Sequence, residues 1–426
     1  MTEKELEKYF DRLWPICRSI TGNGLRESFQ ILQEAIPLKL EEIPTGQKVF
    51  DWNIPKEWNI RNAYLVTPQG KKICRFEVNN LHLVNYSTPQ DREISWDELE
   101  PHLYYRKDLP NAIPYVTSYY KENWGFCLTY NEFKTLPKKG TYRIYIDSDL
   151  KKGSLTYGQV VLKGKSKKEI LFSSYLCHPS MANNELSGPL ALAGLYQKIK
   201  ALPDRKYTYR FIIAPETIGI IAFLSKYGSE LKKNMEAGYV LTCCADKGDI
   251  TFKRSKRGET LAERAALHVL KYGGEKYHVN EFAIGGSDER QYCSPGFDLP
   301  VASFMRTPYH KFKQYHTSLD NKKFISFKNL AHTISVCFDV VQTLEENCIT
   351  VNNAPFCEPQ LSKRNLYPTT GGTFPDVELP RKILHVLAFS DGHTDLIDIA
   401  EKRNLPLLSL KEAVQKLEAV KLITRK

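Results

Sequence analysis

The chain has no Cys-x-x-Cys pair, the spacing a structural zinc knuckle requires, although it has ten cysteines. It has no apolar core near its N-terminus, where Met1-Thr2-Glu3-Lys4-Glu5-Leu6-Glu7 is polar and helix-forming. No secretory leader is therefore expected. No apolar run approaches the ~20 residues of a membrane span, so no membrane partner is expected. A single long basic arm is missing as well. The formal net charge of +11 is dispersed in short clusters such as Lys163-Gly164-Lys165-Ser166-Lys167-Lys168 and Lys253-Arg254-Ser255-Lys256-Arg257. Dispersed lysines read first as solvated surface. The cysteines are scattered, and Cys177, Cys243, Cys244 and Cys337 sit in apolar runs. Buried, reduced thiols in a cytoplasmic protein are the expectation.

What is present divides the 426 residues into about two or three domains. Residues 3 to 35 show helical spacing, with Tyr9, Leu13, Ile16 and Ile20 in register and Pro15 set to kink or restart the helix. From Val49 to Leu136 the chain is rich in Trp, Tyr, Pro and Asn with short apolar runs, which reads as an inserted β-rich domain. Tyr142 to Ile146 and Tyr157 to Leu162 then return to long strands of the main sheet. From Lys168 to Glu346 strands alternate with helices. Ile170–Leu176, Tyr209–Ala214, Tyr239–Cys244 and Val301–Met305 are the strand candidates. Pro189–Ile199, Gly219–Tyr227, Thr260–Tyr272 and Ile325–Leu344 are the helix candidates. That alternation predicts an α/β fold with a mixed, mostly parallel sheet sandwiched by helices. A linker runs from 352 through Gly372, and three helical patterns with a closing strand at Leu422-Ile423 resemble a winged helix-turn-helix. The expected domains are 1–48 with 137–351, 49–136, and 352–426.

The chemistry concentrates in four segments. The first is the strand Glu169 to Leu176, which ends in Cys177-His178-Pro179 and leads through Asn183-Asn184-Glu185-Leu186 to Ser187-Gly188 and a helix. Strand ends facing helix starts are where open α/β sheets place ligands. The others are Ala214-Pro215-Glu216-Thr217-Ile218-Gly219, Gly285-Gly286-Ser287-Asp288-Glu289-Arg290, and Tyr315-His316-Thr317-Ser318-Leu319-Asp320. Each residue has a plain structural reading. A strand-end histidine is commonly a hydrogen-bonded structural residue. Glu216 and Asp288 could each serve as helix-start carboxylates.

In this order the four motifs resemble the zinc aminopeptidases of the M28 type. They are more similar still to a divergent bacterial branch of aminopeptidase-like proteins with an inserted β-rich domain and a C-terminal winged helix. The resemblance implies zinc ligands at His178 and His316, a general base at Glu216, and a second catalytic carboxylate at Asp288 in the Ser-Asp segment beside the site. It also implies losses. The bridging carboxylate of the M28 pattern falls on Asn184, with Glu185 adjacent as a replacement ligand. The second glutamate of the usual pair falls on Thr217. The next strand's aspartate falls near Thr242-Cys243-Cys244, with Asp246 slightly too late. One zinc held by His178, Glu185 and His316 is the expected metal site, with an open position for water. Arg306 and His310 are candidates for substrate binding, the former through a bidentate contact to carboxylate or phosphate.

Two readings stay open. The first is a zinc-dependent hydrolase of an amide bond in a peptide-like or small-molecule substrate. The branch's association with surface-polysaccharide synthesis implies an amino-acyl or amino-sugar conjugate. The second is a non-catalytic binding or assembly protein whose winged helix mediates protein or nucleic-acid interaction. Sequence-specific DNA binding is not expected, because Lys411, Gln415 and Lys416 share their helix with Glu412 and Glu418. Homo-oligomerisation is left open.

Overall fold

The computed structural model describes residues 1–366 and 378–426. Tyr367 to Gly372 of the expected linker lie outside the described residues. The chain divides into two units, residues 1–262 with 276–335, and residues 263–275 with 336–426.

The first unit is built on an eight-stranded sheet. Its strands in chain order are β1 (Lys39–Pro44), β2 (Ser154–Leu162), β3 (Glu169–Tyr175), β4 (Thr208–Ala214), β5 (Met235–Leu241), β6 (Ile250–Lys253), β7 (Tyr277–Asn280) and β8 (Val301–Met305). Their spatial order is β1-β2-β4-β3-β5-β8-β6-β7. The central four, β4, β3, β5 and β8, are parallel. β1, β2 and β6 pair antiparallel with their inner neighbours. Every residue of β3, β4 and β8 is buried, as strands covered on both faces require. The mixed, mostly parallel α/β sheet is thus as the alternation predicts.

Local differences have local causes. Helix α1 (Glu3–Leu13) ends just before Pro15, and α2 resumes only at Asn23–Gln33. Proline lacks the amide hydrogen and collides with the preceding turn, so the break is complete. The strand expected at Tyr239–Cys244 begins at Met235 and stops at Leu241, because Cys243 turns the chain at a φ of 49°. The strand Thr141–Lys151 joins a separate antiparallel sheet, ordered Lys72–Ile73, Glu57–Val66, Thr141–Lys151, Gln90–Ser95. The β-rich segment expected over 49–136 therefore runs on to Lys151. Trp58, Leu65, Ile94, Trp96, Tyr142 and Ile144 fill its core.

In the second unit Ile349–Asn352 pairs with both Asp391–Asp395 and Ile423–Arg425. Helices Glu378–Phe389, Leu396–Arg403 and Lys411–Ala419 bury Ile383, Val386, Leu396, Ile399, Val414 and Leu417. In the last helix Lys411 pairs with Glu346 at 2.6 Å and Lys416 with Glu412 at 3.6 Å. No helix among the described residues is long and apolar enough to cross a membrane.

Candidate functional site

The site forms where β3 and β4 end. After β3 the chain passes Cys177-His178 and enters one π-helical turn, Ala182–Leu186, before α3 (Ser187–Lys200). Such turns recur at functional sites. Two devices hold this one. Asp320 accepts the backbone amides of Asn183 at 2.7 Å and Asn184 at 2.9 Å, tying the His316 loop to the His178 turn. Burial pushes the Asp320 carboxyl up to about 7, against the pull of these backbone bonds. Gly188 lets α3 approach the sheet, since a Cβ there would stand 2.1 Å from Ser174 Oγ and 2.5 Å from the Leu241 carbonyl.

His178 is gripped from one side only. Its Nδ1 is 2.9 Å from Glu185 Oε2. The other oxygen, Oε1, accepts the Cys177 amide at 2.6 Å and lies 3.7 Å from Nε of Arg18. Arg18 and Glu185 side chains are wholly buried. A carboxylate behind a histidine fixes the ring and leaves the far nitrogen free for a ligand. That nitrogen, Nε2, is 3.7 Å from Glu216 Oε2. Burial works against charge on His178, yet Cys177, Tyr115 and Glu185 together hold its pKa well above the usual imidazole range.

Glu216 owes its position to a strained turn. Thr217 has φ 65° and ψ −78°, and the amide of Ile218 donates to the Glu216 carbonyl at 2.8 Å. This is a γ-turn of the rare positive-φ kind, which a β-branched residue adopts only under constraint. The constraint comes from the Ser287-Asp288 segment. Asp288 Oδ1 accepts the Thr217 amide at 2.7 Å, and Arg290 Nη2 donates to Thr217 Oγ1 at 3.0 Å. Helix α4 (Ile218–Asn234) has no side-chain cap, so Glu216 does not serve as one. The Asp288 side chain makes no capping bond to the short helix Glu289–Tyr292 that follows it. Burial raises the pKa of both carboxyls, and the charge of Glu216 raises Asp288 further. Asp288→Ala leaves a buried amide unpaired, and we expect it to cost about 1–3 kcal/mol in chemical denaturation. Asp288→Asn keeps an acceptor and should cost less; equal losses would remove Asp288 from this role.

A cavity of about 360 Å³ opens onto these groups. His178, Glu216, Thr217, Arg290, Cys177 and His316 line one part of it. Trp52, Tyr115, Tyr119 and Tyr120, from the β-rich segment, line another. That segment is stitched to the His316 loop, with the Tyr115 amide donating to the His316 carbonyl at 2.9 Å and Ser318 and Ile113 exchanging backbone and side-chain bonds. His316 sits at φ 53° with its ring stacked 3.9 Å from that of Tyr315. Burial, with His178 and His310 nearby, pushes its pKa down to about 2.

Two imidazoles, those of His178 and His316, stand side by side at the cavity. The ring centroids of His178 and His316 are 5.4 Å apart. Two imidazoles on one tetrahedral zinc, with bonds of about 2.1 Å, put their centroids about 5 Å apart. Among the described residues the three metal-binding side chains whose donor atoms lie within 4.8 Å of one another are Cys177, His178 and Glu185. Glu185 already faces the Arg18 guanidinium and His178 Nδ1, so that trio lies on the closed side of the ring. On the Asn184 side, Tyr175 OH donates to Asn184 Oδ1 at 3.2 Å and meets Thr242 Oγ1 at 2.6 Å, with Cys243 Sγ at 3.6 Å. That network is neutral and offers no charge to a second ion.

The structure thus brings His178, Glu216 and His316 to one cavity and sets Glu185 behind His178 and Asp288 behind Thr217. It does not bring Arg306 there. The Arg306 guanidinium donates to Thr333 Oγ1 and the Gly248 carbonyl and contacts His332 Nδ1. His310 is exposed, its ring 4.4 Å from that of Tyr315. Sequence reading missed Arg18, Arg290 and the aromatic wall. Arg290 lies within the Ser-Asp motif itself, and the density of Trp and Tyr before residue 136 was the other available signal.

Residues 7–347 match the family described as a domain of unknown function, DUF4910, and residues 348–425 match a winged helix-turn-helix family. A Clostridium acetobutylicum protein, provisionally named a polysaccharide biosynthesis protein with aminopeptidase-like domain, is 44% identical over 424 residues, 99% of this chain and 96% of that protein. A crystal structure from Clostridium acetobutylicum, of a protein provisionally called a peptidase, matches with a TM-score of 0.93 at 41% identity, over 100% of this chain and 96% of that one. BSAP, a zinc aminopeptidase from Bacillus subtilis, matches with a TM-score of 0.57 at 13% identity over 80% of this chain and 95% of that one, a likeness of fold. The chain belongs to the DUF4910 family, a divergent aminopeptidase-like family, and carries a C-terminal winged helix.

Proposed function

We propose, from that membership and this cavity, that the chain is a cytoplasmic single-zinc hydrolase. Its substrate would be an amide of an amino-acyl or amino-sugar conjugate in surface-polysaccharide metabolism. The observation that carries the reading is the two-sided use of His178, with Nδ1 tied to Glu185 and Nε2 facing the cavity shared with Glu216 and His316. His178 and His316 would hold the ion, and Glu185 is assigned to orienting His178. A zinc ion held there would supply a Lewis acid for the amide carbonyl. Glu216 takes a proton from the attacking water and returns it to the leaving amine. Asp288 and Arg290 hold the Thr217 turn that aims it. The name of the Clostridium acetobutylicum relative supports the polysaccharide context, and ten free cysteines agree with a reducing compartment.

Metal analysis tests the assignment. Protein purified without added metal should hold about one zinc per chain. His178→Ala and His316→Ala should each abolish tight binding, and wild-type zinc content in both variants would defeat the proposal. The non-catalytic reading draws support from the neutral network around Asn184, Thr242 and Cys243. It calls for no zinc and no zinc affinity on titration.

A further inference from the structure

We infer that the cavity is shaped for an anionic sugar derivative, with Arg290 taking the charged group and Trp52 and Tyr120 receiving the ring. The inference rests on the reading of this cavity as a substrate site. Arg290 lines the cavity and, among the described residues, makes no ion pair. Its Nη2 donates to Thr217 Oγ1, and its buried Nε has no hydrogen-bond partner. Glu216 and Asp288 are close enough to feel its charge, but neither is within ion-pairing distance. A half-buried guanidinium left without a carboxylate is suited to a planar anion from outside, either carboxylate or phosphate.

Another part of the cavity wall is aromatic and open. Trp52 is 36% exposed and Tyr120 57%, although large apolar side chains elsewhere in this unit are mostly buried. Their rings meet edge-on, centroids 5.3 Å apart at 65°, so the two do not cover each other face to face. An apolar peptide side chain would call for an enclosed pocket. Open aromatic faces beside Thr117, Thr217 and Arg290 suit a ring with an apolar face and polar edges, which is a pyranose. Tyr119 and Tyr120 also wall a second cavity of about 270 Å³, leaving room for a further residue of a longer glycan.

Isothermal titration would compare N-acetylglucosamine 1-phosphate, N-acetylmuramic acid and neutral N-acetylglucosamine on the wild-type protein and on Glu216→Gln. At least one anionic sugar should bind tenfold or more tightly than the neutral one, on both proteins. Which of the two does so tells phosphate from carboxylate. Arg290→Gln should erase the preference and Arg290→Lys should keep part of it. Trp52→Ala should weaken all three sugars about tenfold and leave the preference intact. Equal binding of neutral and anionic sugars overturns the inference. So does a preference that survives Arg290→Gln, or no binding of any probe at about 10 mM. Because Glu216→Gln is scored by binding, an absence of hydrolysis leaves the inference standing. Hydrolysis with no anion preference sinks it and spares the hydrolase reading.

Discussion

Glu216→Gln is expected to retain the fold and about one zinc per chain and to lose turnover by about 10²–10⁴-fold. Glutamine matches glutamate in shape but cannot accept a proton at neutral pH. The backbone that places it is fixed independently, by the γ-turn at Thr217 and the bonds from Asp288 and Arg290. The Glu216 amide itself points to Cys177 Sγ at 3.4 Å, a contact the substitution leaves alone. Burial raises the carboxyl above its ordinary pKa, the direction a base working near neutrality needs. Three measurements on one preparation decide the matter: turnover on an amino-acyl or amino-sugar amide, zinc per chain, and thermal melting. Loss of zinc would make Glu216 a ligand, which its 3.7 Å approach to His178 Nε2 also permits. Loss of melting temperature alone, with turnover intact, would leave the residue no catalytic part.

The strand-end histidine, the next strand's glutamate and the late Tyr-His motif were legible because each is local. Chain direction at the end of a buried parallel strand fixes where the following residue faces. The way Glu216 is aimed was not legible. Thr217 reads as an ordinary helix-start threonine, and only residues some seventy positions later force it to positive φ. The strand Thr141–Lys151 was assigned to the main sheet because alternation marks a strand without saying which sheet it joins. β6 and β7 escaped notice because each has only four residues, and three of those in β7 are exposed. Glu185 was read as a ligand from its place in the His178 turn. The turn is π-helical, and in it the carboxylate oxygen Oε2 lies 2.9 Å from Nδ1 of that ring. Arg18 gave no signal at all, since a lone arginine between helices normally lies in solvent.

Arg18 supports the second large effect. Its side chain is wholly buried, and one nitrogen, Nη1, is hydrogen-bonded, to the Leu13 carbonyl at 2.6 Å and Ser28 Oγ at 3.3 Å. Nε and Nη2 have no hydrogen-bond partner. Burial lowers its pKa, and Glu185 is the main group opposing that fall. Arg18→Met keeps much of the volume but removes the charge that faces Glu185. Stripping one partner from a buried ion pair typically costs about 3–5 kcal/mol, because the other charge is left in a dry interior. The Nε to Oε1 separation of 3.7 Å is long for a hydrogen bond, so the loss should fall at the lower end of that range. Glu185→Gln in the same chain removes the stranded charge, and the double variant should regain about 1–3 kcal/mol over simple addition of the singles. The same chain of contacts runs on to His178. Arg18→Met should therefore also weaken zinc roughly 10–100-fold in a competition titration, the range seen when a histidine loses its orienting carboxylate. A variant that melts like wild type and holds zinc as tightly would show that Glu185 needs no counter-charge to hold and orient His178.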